Sequence, residues 1–308
     1  MKPKVLLAGG TGYIGKYLSE VIENDAELFT ISKYPDNKKT DDVEMTWIQC
    51  DIFHYEQVVA AMNQIDIAVF FIDPTKNSAK ITQSSARDLT LIAADNFGRA
   101  AAINQVKKVI YIPGSRYDNE TIERLGAYGT PVETTNLVFK RSLVNVELQV
   151  SKYDDVRSTM KVVLPKGGWT LKNVVNHFIA WMGYTKGTFV KTEKSHDQFK
   201  IYIKNKVRPL AVFKIEETAD GIITLILLSG SLVKKYTVNQ GKLEFRLIKE
   251  SAVVYIHLYD YIPRLFWPIY YFIQAPMQKM MIHGFEVDCR IKDFQSRLKS
   301  GENMKYTK

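Results

Sequence analysis

Cysteine is nearly absent: Cys50 and Cys289 are the two in 308 residues. So sparse a supply excludes a disulfide framework and fits a reducing compartment. Long apolar runs are missing too; the most lipophilic stretch, Leu265 to Ala275, is too short to span a bilayer and contains Pro268. The chain passes from Lys2 and Lys4 into Val5–Ala8 with no apolar h-region and no small-residue cleavage site, so no secretory signal is expected and a cytoplasmic location is. His54, His177, His196, His257 and His283 show no metal-ligand spacing, and neither cysteine is near a histidine in sequence, so no metal is expected. There are no internal repeats.

What is present is ordinary in bulk: 46% hydrophobic and 24% charged residues, the values of a globular chain with real cores. The net charge of +9 hides an asymmetry. Residues 1–150 carry 16 Lys/Arg against 19 Asp/Glu, whereas residues 151–308 carry 26 against 14. Opposite electrostatics in the two halves suggest two domains with different jobs; a solvated basic surface that keeps the chain soluble has the same composition. The expected division is 1–152 and 153–308.

The first half alternates strands and helices, the pattern of a doubly wound parallel sheet. Apolar strands are expected at Val5–Ala8, Leu28–Ile31, Met45–Cys50, Ile67–Ile72 and Lys108–Ile112. Helices are expected at Tyr13–Ile22, Tyr55–Met62 and Ser84–Asn104, while the polar run Lys33–Asp42 replaces a second helix. The second half reads as α+β. An amphipathic helix at Leu171–Met182 precedes strands at Phe199–Arg208, Ile222–Leu228, Leu232–Val238, Leu243–Ile248 and Val253–Tyr259. A helical tail then begins near Pro263, with a second piece from Pro276. In the strand Phe199–Arg208 the apolar face is expected to hold Phe199, Ile201, Ile203 and Val207.

Three motifs in the first half carry chemistry. Gly9-Gly10-Thr11-Gly12-Tyr13-Ile14-Gly15 follows an apolar strand and opens an amphipathic helix. In that setting glycines let the backbone approach a pyrophosphate, and the helix start offers N–H groups and partial positive charge. At the end of the second strand, where an NAD site places a carboxylate on the ribose hydroxyls, stand Ser32 and Lys33. A lysine there attracts a 2′-phosphate, so NADP is expected, with NAD as the alternative. After the third strand, Asp51 can accept a hydrogen bond from the adenine amino group while Ile52 packs on the ring.

These motifs, with Asp95-Asn96-Phe97-Gly98-Arg99-Ala100-Ala101 leading to Val109-Ile110-Tyr111-Ile112-Pro113-Gly114-Ser115, resemble the short-chain dehydrogenase/reductase superfamily. Within it the similarity is to the atypical NmrA-like branch, often labelled nucleoside-diphosphate-sugar epimerases, over roughly residues 3–115. The resemblance implies an NAD(P)-binding Rossmann domain with cofactor contacts at Gly9, Thr11, Gly12, Tyr13, Ile14, Gly15, Asp51 and Ile52. By position it also implies contacts from Phe71 and Ile72. More loosely, Lys242-Leu243-Glu244-Phe245-Arg246, Tyr261-Ile262-Pro263-Arg264-Leu265-Phe266-Trp267 and the Met-rich helix resemble a C-terminal unit found fused to such domains. That unit is of the helix-grip kind, a smaller α+β domain whose curved antiparallel sheet wraps a long helix around an apolar cavity.

The superfamily's proton relay, Tyr-x-x-x-Lys, is missing. Ser115 stands where its serine would be, but four residues beyond Tyr117 is Thr121, and the only such pair in the first 150 residues, Tyr34 and Lys38, is in the wrong loop. No catalytic residue is singled out. His257 shares a strand face with Tyr255 and Tyr259, as a pocket acid or as a satisfied polar residue facing solvent or lining a cavity. The aromatic run from Tyr255 to Phe272 is either core or an apolar pocket rimmed by phenols. The resulting expectation is an NADP(H)-binding oxidoreductase acting on a small apolar or planar ligand held by the C-terminal domain. The competing reading is a non-enzymatic, dinucleotide-dependent redox sensor or regulatory protein. The basic second half makes a membrane surface a further partner; nucleic acid is not expected, because no binding motif accompanies the basic strand.

Overall fold

The computed structural model describes residues 2–9, 12–35, 44–73, 79–138, 149–150, 155–166, 168–184, 190–231, 234 and 240–302. It divides the chain into two units: residues 1–78 with 85–147, and residues 79–84 with 148–308.

In the first unit, β1 (Lys4–Ala8) leads through the glycine turn into α1 (Tyr13–Ile22); β2 (Glu27–Ser32), β3 (Met45–Gln49), α2 (Tyr55–Ala61) and β4 (Ile67–Phe70) come next. After β5 (Ile81–Gln83), which belongs to the other unit, come α3 (Ala86–Ile103), β6 (Lys108–Tyr111), α4 (Asp118–Gly126) and β7 (Val132–Thr134). The sheet runs β3-β2-β1-β4-β6-β7 and every pairing is parallel. Leu6, Leu7, Ala8, Val69, Phe70 and Val109 are buried as the central strands of a sheet covered on both faces should be. The chain reverses its direction of travel across the sheet between β1 and β4, and doubly wound folds bind ligands outside the carboxyl ends of the strands at that point. Most of the polar run Lys33–Asp42 lies outside the described residues. So do Leu232, Val233 and 235–239, within the strand expected at Leu232–Val238.

The second unit adds β8 (Gln149–Val150), β9 (Val156–Val163), α5 (Leu171–Tyr184), β10 (Val190–Lys194), β11 (Gln198–Ile203), β12 (Pro209–Ala219), β13 (Ile222–Ser229), β14 (Lys242–Leu247) and β15 (Val253–Tyr261). Two helices close it, α6 (Trp267–Ile269) and α7 (Ala275–Lys299), joined by one π-helical turn, Tyr270–Gln274. The sheet order is β10-β11-β12-β13-β14-β15-β9-β5-β8, antiparallel except where β5 joins β9. One face packs on the helices: Val174, Phe178 and Met182 of α5 and Phe285 and Cys289 of α7 meet Phe199, Leu225, Phe245 and Ile256. Phe178 lies 5.1 Å from both Phe245 and Phe285, ring centre to ring centre. Each such side chain, fully buried, contributes about 1.5–3 kcal/mol.

The opposite face of the same strands carries buried Arg157, Thr159, Thr224, Glu244, Arg246 and His257. Register sets Thr224, Glu244, His257 and Thr159 side by side across four strands. His257 is therefore not the solvent-facing residue of one sequence reading. It is buried, its ring stacked 4.8 Å from that of Tyr259.

Two other expectations are corrected, and a third is placed to within one residue. The strand from Phe199 stops at Ile203, because Asn205 takes a positive φ of 64° and turns the chain, which leaves Val207 93% exposed rather than on the apolar face. The second helical piece expected from Pro276 is α7, which begins one residue earlier at Ala275 and carries Pro276 in its first turn. The π-helical turn before it, in which the Ala275 N–H donates to the Tyr270 carbonyl, makes the room that a proline ring inside a helix demands. The aromatic run is neither all core nor all pocket: Tyr255, Tyr259, Tyr261 and Tyr270 are buried, whereas Phe266 and Phe272 are exposed.

Gly98 shows how tightly α3 meets α4. A Cβ there would sit 2.6 Å from the carbonyl oxygen of Leu125 and 2.8 Å from that of Arg124, and backbone cannot swing aside. Gly98→Ala should destabilise the chain by about 1–3 kcal/mol; a urea midpoint equal to that of the parent would refute the packing argument.

Candidate dinucleotide site

β1 ends in Ala8 and then Gly9, whose φ of +124° suits glycine. A Cβ on Gly9 would stand 2.8 Å from the Phe71 ring, so the turn and the residue after β4 are fitted to each other. Gly12 caps α1, its N–H donating to the Gly9 carbonyl at 3.1 Å. The first bond into the helix is from the Lys16 N–H to the Gly12 carbonyl, so the amides of residues 13–15 have no carbonyl inside the helix to bond. No side chain caps this end, and no acidic residue stands in the first turn. The electropositive end of α1 is left for an external anion. Among the described residues, a Cβ on Gly12 would meet only the Gly9 carbonyl oxygen, at the ordinary contact distance of 3.7 Å. Gly15 is buried, and Ile14 packs into the core beneath. Gly10 and Thr11 lie outside the described residues, as does the side chain of Tyr13.

The adenosine end of such a site is built by β2 and β3. The Cys50 N–H donates to the Ser32 carbonyl at 2.9 Å, which brings the residues after both strands together. The roles assigned separately to Lys33 and Asp51 are then joined, since Lys33 Nζ lies 3.2 Å from Asp51 Oδ2 and both side chains are largely buried. Asp51 Oδ1 accepts the Phe53 N–H at 3.1 Å, and the Asp51 N–H donates to Gln57 Oε1 at 2.9 Å. Ser32 Oγ accepts the Tyr34 N–H at 3.2 Å. Ile52 is buried, and its carbonyl takes a 2.9 Å hydrogen bond from Asn96 Nδ2. Sequence reasoning assigns no role to Asn96 or Gln57. The one amide side chain of α3, next to Asp95 on a helix otherwise rich in Ala, Leu and Ile, is the available signal for the first.

Gly9, Gly12, the start of α1, Lys33, Asp51, Phe71 and Ile72 therefore stand along the carboxyl ends of β1 to β4. They fit a dinucleotide, with a glycine cradle a side chain would fill and an anion-seeking helix end. A bound nicotinamide supplies a hydride acceptor or donor.

Where the superfamily keeps its serine and tyrosine, the structure places a carboxylate clamp. Asp118 accepts the N–H groups of Gly114 and Ser115 and the Tyr111 hydroxyl, at 3.0, 2.9 and 2.5 Å. Ser115 Oγ accepts the Tyr117 N–H at 3.2 Å, and the Thr121 hydroxyl donates to the Tyr117 carbonyl at 2.7 Å. The Ser115 hydroxyl and the backbone of Tyr117 are thus used to start α4.

Residues 5–121 match the NAD dependent epimerase/dehydratase family. That part of the chain is a Rossmann domain of the kind that binds a nicotinamide dinucleotide. Solved structures that match part of the chain include a nucleoside-diphosphate-sugar epimerase from Staphylococcus aureus, 18% identical with a TM-score of 0.35, the match covering 42% of this chain and 49% of that one. A Rossmann-fold NAD(P)-binding family protein from Shigella flexneri is 14% identical with a TM-score of 0.36, covering 44% and 66%. Over all 308 residues of both, the chain is 99% identical to the auxiliary protein GraX of Staphylococcus aureus (strain NCTC 8325 / PS 47). It belongs to the family of that protein.

Two features of the site can be checked directly. Gly9→Ala forces a side chain into a strained backbone and against Phe71, so it should cost about 1–3 kcal/mol of stability and weaken dinucleotide binding by about tenfold or more, read by calorimetric titration. Burial holds the Cys50 thiol well above the usual thiol range, with the neighbouring Asp51 charge adding to it, and burial raises Cys289 to about 12. Neither should react appreciably with a disulfide reagent at mild alkaline pH until denaturant is added; prompt labelling of the native chain would contradict the burial.

Proposed function

We propose that the chain is an NADP(H)-binding protein of the short-chain dehydrogenase/reductase type, acting on a small apolar ligand. The observation that carries the cofactor reading is that a lysine, Lys33, and no acidic residue follows β2 directly, together with an uncapped, acid-free helix start. No residue at the end of β2 itself is acidic; Lys33 is held there by the Asp51 carboxylate, which tempers its pull on a 2′-phosphate. The second unit's strand order, with α5 and α7 on one face, supports a helix-grip reading. In that reading an apolar ligand enters by parting α7 from α5, displacing Phe285 from Phe178. With hydride supplied by the cofactor, orientation and desolvation are the protein's remaining tasks, so a reductase without the usual tyrosine is chemically workable.

A second reading has its own observation. Asp118 engages the segment in which a proton donor would stand, and the relative of 99% identity is called an auxiliary protein. A chain that binds the dinucleotide and assists another protein, without turnover, accounts for both.

One set of measurements separates the possibilities. Thermal shift with NAD, NADH, NADP and NADPH side by side should favour the phosphorylated pair, each shift following the free-energy gain RT ln(1 + [L]/Kd). Lys33→Ala should lower NADPH affinity by about tenfold, a loss of roughly 1.4 kcal/mol, and leave NADH nearly unchanged. Asp51→Asn, which releases Lys33 from its partner, should shift the preference further toward NADPH. Equal affinities for all four dinucleotides would end the NADP reading. NADPH oxidation with quinones or unsaturated carbonyl compounds supports the oxidoreductase; tight binding without turnover across such a panel supports the auxiliary role.

A further inference from the structure

The segment Pro263–Phe285 contains no Asp or Glu, in a chain with 33 of them. It holds α6, the π-helical turn and the first turns of α7, and its outward side is apolar. Phe266, Ile269, Phe272, Ile273, Met277 and Met280 are each between 46% and 74% exposed. Exposed large apolar residues scattered singly need no explanation; a contiguous group on one helical segment does. The inner side is fully committed, with Tyr270, Ala275 and Phe285 buried in the second unit. The outer residues are thus surplus to folding.

The geometry points to the surface of an anionic bilayer as the partner, with this segment lying in the interface. Three observations select it. The exposed charged groups on the segment are Arg264 and Lys279, both cationic, and neither has an ion-pair partner among the described residues. Anionic headgroups would neutralise them, whereas a second copy docked face to face would set the same charges against each other. Trp267 and Tyr271, half-buried beside the exposed phenylalanines, are amphipathic rings of the kind that settle at headgroup level. No helix among the described residues is long and apolar enough to cross a membrane, so the segment would lie on the bilayer and not span it. The net basic charge of residues 151–308 adds long-range attraction of the same sign.

Sedimentation of the full chain with vesicles tests this. Binding to vesicles of phosphatidylcholine mixed with phosphatidylglycerol is expected, with weaker binding to phosphatidylcholine alone and loss of binding as salt is raised. Phe272→Ser combined with Met280→Ser should reduce partitioning by about tenfold or more, and Lys279→Glu by about fivefold or more. Both variants should keep the parent's unfolding midpoint and dinucleotide affinity, because none of these side chains is buried. The proposal is overturned if no vesicle binds the chain or if the double variant binds as well as the parent. It is equally overturned if neutral and anionic vesicles bind alike, or if the chain is a dimer that the double variant dissociates.

Discussion

The parallel pairing of β1 with β2 on one side and β4 on the other is the constraint from which the site arises. Parallel neighbours end on the same edge, so the residues after each strand converge whether or not they are close in sequence. Gly9, Lys33, Asp51 and Phe71 reach one edge this way. The turn at Gly9 then has to reverse the chain against Phe71 and start α1 at once, which only a residue without a side chain does comfortably. The helix start is consequently aimed past the strand ends, and its partial charge decides what can lie there. Sequence, backbone strain and electrostatics are one argument at this point.

The same constraint explains which parts are legible in the sequence. Strands buried on both faces read as short apolar runs, so Val5–Ala8 and Ile67–Phe70 announce themselves, and the glycine turn between strand and helix identifies its ligand class. The Lys33–Asp51 pair is not legible as a pair, because only the convergence of β2 and β3 joins it. In the second unit the sequence misleads for a different reason. Alternating polar positions in an antiparallel sheet are expected to face water, yet Arg157, Thr159, Glu244, Arg246 and His257 occupy such positions and are buried. β9, which carries Arg157 and Thr159, escapes sequence reading on that account. β12 escapes it because Lys214, Glu216 and Glu217 interrupt its apolar alternation. β5 is three residues long, and it joins a sheet formed almost wholly by chain beyond residue 148, a relation no local pattern encodes.

A buried polar row is costly unless its members satisfy one another. Here the row is satisfied only in part: Arg246 Nε donates to Glu244 Oε1 at 2.8 Å and Thr218 Oγ1 to Thr224 Oγ1 at 2.8 Å, whereas Thr159 Oγ1 and Glu244 Oε2 are buried with no hydrogen bond among the described residues. Such a face fixes register, because a one-residue slip would turn Arg157 and Arg246 into the layer filled by Phe178, Phe245 and Phe285. The two faces of the sheet thus specify the unit in complementary ways, the apolar one by area and the polar one by penalty. The Asp95–Arg99 pair acts similarly in the first unit. Its 2.9 Å contact is completed by the Tyr128 hydroxyl on Asp95 and by the Tyr128 ring beneath the guanidinium, which ties α3 to the chain after α4.

Binding and chemistry separate cleanly in this architecture. In the proposed site a dinucleotide is held by backbone amides and strand-end side chains, none of which moves a proton. A proton relay is an addition made after β6, and there the chain spends Ser115 and Asp118 on closing a turn. The cradle's affinity is set before β6 begins, so a family can lose the relay and retain the ligand. The second unit then has no obligation to shape a substrate around a reacting tyrosine, and the acid-free run Pro263–Phe285 can serve recognition alone. Residues 1–150, with their slight acidic excess, could not carry that surface role, since their charge has the wrong sign for anionic lipid. On the two proposals made above, the charge asymmetry has a physical reading beyond solubility, with nucleotide recognition assigned to one unit and surface recognition to the other.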